Sequence, residues 1–166
     1  FIITFLLFCL QNAYADSAYF IDFNKVLNSS KPGAGAQKKL KDKLKAESDK
    51  FNKLEQDIRK QESEIISQKK TLSAEEYKKK VQDLRKKVAK TQKEKQDAFN
   101  NIAKSWSAAK QSLLKAVSPI VKKYMEENNI RLVMDKKSVV LGDMSLEITD
   151  QIISIVNKEV SSIKIN

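Results

Sequence analysis

The side chains able to do chemistry in this chain are almost all lysines. Lys78, Lys79, Arg85, Lys86, Lys87 and Lys90 crowd one short stretch, and the work open to such a series is electrostatic, the drawing-in of acidic partners by a long-range field. Arg85, Lys86 and Lys87, with Lys90 one turn on, have a spacing suited to lipopolysaccharide phosphates. A plain solvated helix face has the same spacing. Residues 37–104 hold 21 Lys and Arg against 12 Asp and Glu, and the rest of the chain holds 11 against 9, so most of the net charge of +11 lies in the middle. Only Arg59, Arg85 and Arg131 are arginines. Lysine is a solvated point charge without the bidentate fork that reads bases, so the field suits diffuse attraction and no specific nucleic acid.

What is missing narrows the function further. The chain has no His and a single cysteine, Cys9, which excludes imidazole bases, disulfides and the commonest zinc ligands once the leader is removed. It has no Gly-rich phosphate loop and no close pair of acids at a strand end. The expectation is a protein without catalytic residues, metal or cofactor. Residues 1–10 are an uncharged apolar run, and Ala13-Tyr14-Ala15 puts small residues at both positions a signal peptidase reads. Residues 1–15 therefore read as a secretory leader cut between Ala15 and Asp16, starting some residues upstream because the initiator Met and a basic segment are missing. The run is shorter than the roughly 20 apolar residues that span a bilayer. Cys9 makes a poor lipid attachment point, because Phe8 stands where a small residue is needed.

The elements that position the lysines are punctuated by Gly and Pro. The glycines are Gly33, Gly35 and Gly142, the prolines are Pro32 and Pro119, and residues 36–118 contain neither. Such a stretch of Lys, Glu, Gln, Ala and Leu has the composition of long helices. Leu44, Phe51, Ile58, Ile65 and Leu72 recur every seven residues, with Leu40 and Leu54 beside them and Glu47, Gln61 and Gln68 in the companion positions. A thin heptad seam of this kind predicts a coiled-coil hairpin. Ser73-Ala74-Glu75-Glu76 is a capping box, which places the reversal near 71–74. The apolar line restarts at Tyr77, Val81, Leu84 and Val88, weakens at Thr91 and Lys95, and widens into Phe99, Ile102, Trp106, Ala109, Leu113 and Val117. Trp106 falls on this stripe and reads as packing. Helices over about 36–70 and 74–117 would make an arm roughly 50 to 65 Å long. Ser118-Pro119 predicts a kink or a fresh helix start.

The ends read as strands and short helices. Residues 18–23 are a β-type run, and 130–135 and 138–141 are two more, joined by Lys136-Lys137 as a hairpin. Thr149 is expected to cap a closing helix bearing Ile152, Ile153, Val156 and Val160. Alternation predicts that Ile21, Leu132, Met134 and Val140 are body core or subunit interface. A body of about 60 residues has a marginal core, and oligomerisation is the natural way to complete it. The predicted fold is α+β, mostly α: residues 16–35 and 118–166 form a small β-containing body and 36–117 the arm.

Three stretches together resemble the Skp (OmpH-like) family over nearly the whole chain after the leader. They are residues 18–27, the Ser30 to Leu40 segment with Gly35-Ala36-Gln37, and the late group of Pro119-Ile120, Leu132-Val133-Met134-Asp135-Lys136, Val139-Val140 and Ile148-Thr149-Asp150-Gln151. This chain departs from the pattern in carrying Gly33 as well as Gly35, which would loosen the base of the arm. The resemblance implies a soluble periplasmic homotrimer whose hairpins surround a cavity. It also implies an ATP-independent chaperone that holds unfolded outer-membrane β-barrel proteins, with lipopolysaccharide or an anionic membrane surface as a further partner. The candidate client contacts are Phe51, Ile58, Tyr77 and Val81 on the seam with Lys78, Lys79, Lys86 and Lys87 beside them; for Phe51 and Tyr77 the other reading is packing between the two helices of the hairpin. Two other classes fit part of the pattern. A structural coiled-coil envelope protein has no need of a β-body or a cationic arm. A basic polyanion-binding protein would place its aromatics between cations, not on the seam.

Overall fold

In a computed structural model of the chain, residues 18–165 are described; the expected leader and its expected cleavage position between Ala15 and Asp16 lie outside them. The described residues divide into two units, one of residues 18–33 and 113–161 and one of residues 34–112 and 162–165.

The first unit begins with strand β1, Tyr19–Ile21. Asp22 ends it, and its carboxylate accepts the Lys25 N–H at 2.9 Å, capping helix α1, Phe23–Ser29. A single residue, the buried Ser30, separates α1 from helix α2, Lys31–Ser67. The Ser30 amide donates back to the Val26 carbonyl at 3.0 Å and its hydroxyl accepts the Gly33 N–H at 3.2 Å. The long helix thus starts five residues before the expected position, with both Gly33 and Gly35 inside it. Gly33 is no loose joint. A Cβ there would lie 2.2 Å from the Leu27 carbonyl oxygen, so the glycine admits the end of α1 against the start of α2.

Helix α3 runs continuously over Ala74–Glu127 with Pro119 inside it, so of the two expectations at Ser118-Pro119 the fresh helix start is not taken. Proline cannot donate to the carbonyl one turn back and normally disrupts a helix interior. Here Val117, Ile120 and Val121 are buried around the exposed Pro119, so packing on both sides outweighs the missing bond. The Ser118 hydroxyl donates to the Leu114 carbonyl at 2.7 Å in the same turn. The helix closes on Asn129, whose φ of 54° is left-handed, with Ile130 N–H donating to the Met125 carbonyl at 2.9 Å.

Strand β2, Val133–Asp135, then pairs parallel with β1 in the register Tyr19 to Val133, Phe20 to Met134 and Ile21 to Asp135. The expected hairpin to residues 138–141 does not form. Asp135 instead caps a 3-10 turn, Lys136–Ser138, and Val140 and Leu141 follow in irregular chain, each 93% exposed. β2 takes β1 as its partner instead. On its other side β1 meets residue 147, and Ile148 N–H donates to the Phe20 carbonyl at 3.0 Å.

Helix α4, Thr149–Glu159, closes the unit. Thr149 does not cap it, contrary to the prediction. Its hydroxyl accepts the Asp22 N–H at 2.9 Å and donates to Glu147 Oε1 at 2.8 Å, fastening α1 to the start of α4. Lys25 and Asp150 pair at 2.7 Å between the same helices, and Lys31 N–H reaches Asn157 Oδ1 at 2.6 Å. Phe20, Ile21, Val26, Val117, Ile152 and Val156 form the core.

Glu147 carries a pH prediction. Its carboxylate accepts from Lys136 at 2.8 Å and from Thr149, and those bonds hold its pKa below the ordinary value of 4.5. A depressed carboxylate pKa stabilises the fold above the unfolded value, and that stability is lost as pH falls through the folded pKa. Thermal melts are therefore expected to weaken below about pH 4.5 in the native chain. Glu147→Gln should melt lower at pH 7 and show a shallower acid decline; parallel acid declines would show that Glu147 is not the linked group.

Candidate functional site

The second unit is an antiparallel helical hairpin built by α2 and α3. Its reversal is a 3-10 turn, Gln68–Lys70, followed by the predicted capping box. Ser73 N–H and Oγ–H both donate to Glu76 Oε2, at 3.0 and 2.7 Å, while Glu76 N–H donates to Ser73 Oγ at 3.3 Å. The Ser73 hydrogen bonds hold the Glu76 carboxyl below its usual range. Cross-hairpin contacts set the register. Lys80 donates to Gln68 at 2.7 Å, Lys87 pairs with Asp57 at 2.7 Å, Lys95 pairs with Glu55 at 2.6 Å, and the rings of Phe51 and Phe99 lie 6.4 Å apart. The weak point of the heptad at Thr91 and Lys95 is thus a buried threonine followed by a cross-helix ion pair, which holds Glu55 below its usual pKa.

The seam is filled at one end and open at the other. Phe51 is 1% exposed, with Lys50 Nζ 4.9 Å over its ring, so it packs inside the hairpin and is no contact surface in this form. Of the two readings of Phe51, packing between the helices is the one this burial matches, with Phe99 and Lys50 beside the ring. Toward the reversal the same line opens into an apolar groove of about 440 Å³. Ile58, Ile65 and Ile66 line it from α2, and Tyr77, Val81, Leu84 and Val88 from α3, with Glu62 and Arg85 also in its wall. Three expected apolar positions, Ile58, Tyr77 and Val81, are therefore brought together.

Of the cations, Arg85 reaches the groove, while Lys78, Lys79, Lys86 and Lys90 lie on the exposed surface. Lys90 sits 3.9 Å from Glu94, a helix pair worth little, and Lys87 is engaged by Asp57. The proposed phosphate-holding set of Arg85, Lys86, Lys87 and Lys90 is thus not one converging cluster. Ile66 was missed by the heptad reading because it falls one position off the line; it is 60% exposed, and an isoleucine adjoining the line at Ile65 was the available signal.

In the other unit Ile21 is fully buried and Met134 half-buried, whereas Leu132 and Val140 are 52% and 93% exposed in the single chain. Leu141 and Met144 are likewise 93% and 64% exposed. Among the described residues no cluster of His, Cys, Asp or Glu could hold a metal ion, and no helix is long and apolar enough to cross a membrane.

A search of curated proteins finds no match to the chain. A solved structure assigned as an OmpH-like outer membrane chaperone from Caulobacter crescentus CB15 superposes with a TM-score of 0.82. It shares 12% sequence identity, and the match covers 90% of this chain and 88% of that one, a likeness of fold. The family model described as outer membrane protein (OmpH-like) matches residues 17–156. The chain belongs to the OmpH-like family.

Proposed function

We propose that the protein is a non-enzymatic, ATP-independent chaperone that works in the periplasm as a soluble homotrimer after its leader is removed. It holds unfolded outer-membrane β-barrel proteins between its hairpins and keeps them from aggregating. The observation that carries this reading is the open apolar groove on a hairpin with a surplus of lysine. A field of that sign raises the encounter rate with acidic chains, while retention comes from short-range apolar contact and several weak grips. Lipopolysaccharide and anionic membrane surfaces share the charge of such clients and are secondary partners of the exposed lysines.

The test is suppression of light scattering when an unfolded β-barrel protein is diluted from urea, with the chaperone's mass measured in parallel. No suppression at a fivefold chaperone excess would sink the reading. Charge reversal of Lys78, Lys79, Lys86 and Lys90 to Glu should slow stopped-flow capture roughly tenfold at low salt and flatten its salt dependence. Lys87 is left in place because it holds Asp57. Equal capture rates would reduce the lysines to a solvated face.

A further inference from the structure

Near its reversal the hairpin has two unlike faces. One is the apolar groove, while the other is lined by Gln61, Glu64, Gln68, Lys80, Asp83 and Lys87, with Ile65 and Leu84 shared as the floor between them. Four of those six polar groups have partners within the hairpin: Gln61 and Lys87 both donate to Asp57, at 3.0 and 2.7 Å, and Lys80 donates to Gln68 at 2.7 Å. A surface whose hydrogen bonds close on themselves offers little to a ligand, whereas exposed apolar area gains by being covered.

The groove is short on one wall. Ile58 to Ile66 rises about 12 Å along α2, which matches about four residues of extended chain at roughly 3.3 Å each. An added helix would need about 12 residues or more to be even marginal alone, and would overrun that wall. The spacing limits the grip as well. Tyr77, Val81, Leu84 and Val88 follow at about 4.5 to 6 Å, while alternate side chains of a strand are about 6.7 Å apart, so only two or three can seat before they fall out of step. The side chains between them point away from the groove. There they face the field of residues 58–92, which hold 11 Lys and Arg against five Asp and Glu, while the charges in the lining itself, Arg85 and Glu62, balance.

From this we infer that the hairpin grips on one face only, and that its unit ligand is an extended segment of about four or five residues with alternating apolar side chains and at least one carboxylate. The inference rests on the chaperone reading and adds the face, the footprint and the charge of the segment.

Single thiols placed by Ile66→Cys in the groove and Gln61→Cys on the opposite face, in the chain from Asp16 onward, which has no other cysteine, can carry an environment-sensitive dye. The probes are the peptide Asp-Val-Tyr-Val-Asp, its Lys-ended counterpart and versions of three, seven and nine residues. The dye at 66 should respond saturably and the dye at 61 should not. The Lys-ended peptide should bind roughly tenfold more weakly, the sum of two exposed charge pairs. Affinity should rise from three to five residues and then level. In unlabelled protein, Val81→Gln should weaken the five-residue peptide roughly tenfold, and Lys80→Gln on the other face less than about twofold. Equal dye responses at both faces, equal affinity for both charge types, or affinity climbing steadily to nine residues would each overturn the inference. Aggregation suppression by the same proteins keeps the two readings apart: retained suppression with equal faces removes the one-sided grip alone, and lost suppression in the unmodified chain removes the chaperone reading.

Discussion

Val140→Asp and Leu141→Asp are expected to split the proposed trimer into single chains that keep their helix content. Both side chains are 93% exposed in the protomer, so a carboxylate there removes nothing from its own core and stays hydrated. In an interface the same carboxylate would be buried without a partner, an effective cost of several kcal/mol. Three copies close one assembly, so the dissociation midpoint should move by roughly a hundredfold or more in concentration. Light scattering across nanomolar to micromolar protein reads the mass, and circular dichroism reads the protomer. Ile21→Asp provides the contrast: Ile21 is 0% exposed, and its loss should unfold the body outright. A Val140→Asp protein that keeps the trimer mass would put the interface elsewhere and leave the exposed run from Val140 to Met144 without a role.

Two glycines of the same helix should answer one substitution with opposite signs. At Gly33 a methyl group would overlap the Leu27 carbonyl oxygen at 2.2 Å and crowd Ser30 Oγ at 2.8 Å. The nearest obstacle is backbone, which cannot rotate aside, so α1 and α2 must separate; overpacking of this kind costs about 1 to 3 kcal/mol or more. Gly33→Ala should lower the melting temperature of the body by several degrees. At Gly35 nothing lies within 4 Å of the added atom, and the residue is helical. Gly35→Ala should raise stability by about 0.4 to 1 kcal/mol through the unfolded chain's lost freedom. Thermal melts of the pair decide the matter, and equal shifts of either sign would show that the α1–α2 approach is not tight in solution.

The hairpin was legible because its signals are local. Ser73 and Glu76 form their reciprocal bonds within three residues, and the line from Phe51 to Leu72 fixes the facing sides of α2 and α3 by period alone. How deep each seam residue sits was not legible. Phe51 is covered and Ile58 is half open, although both occupy the same heptad position, because the difference lies in what α3 supplies opposite them. The body was read less well because its decisive contacts span the chain. Residues 138–141 have strand composition, yet β2 finds its partner in β1 at the far end of the sequence. Thr149 has the composition of a cap, and the Asp22 amide and Glu147 take its hydroxyl instead. Ser118-Pro119 allowed either a kink or a fresh helix start by local rules, and the burial of Val117, Ile120 and Val121 on both sides favours the continuous helix.

The parallel pairing of Tyr19–Ile21 with Val133–Asp135 also sets an order of events in time. Closing a loop of about 110 residues costs on the order of 4 kcal/mol of chain entropy before β1 gains anything from β2. The hairpin needs no such closure, since its contacts zip outward from Ser73. Once zipped, it leaves only about 30 flexible residues between the two strands and lowers the remaining closure cost by about 1 kcal/mol. A chain emerging from its N-terminus therefore presents β1 first but must carry it unpaired until the last fifth of the sequence emerges. On contact order alone, the local contacts of the hairpin are expected to form before the strand pairing.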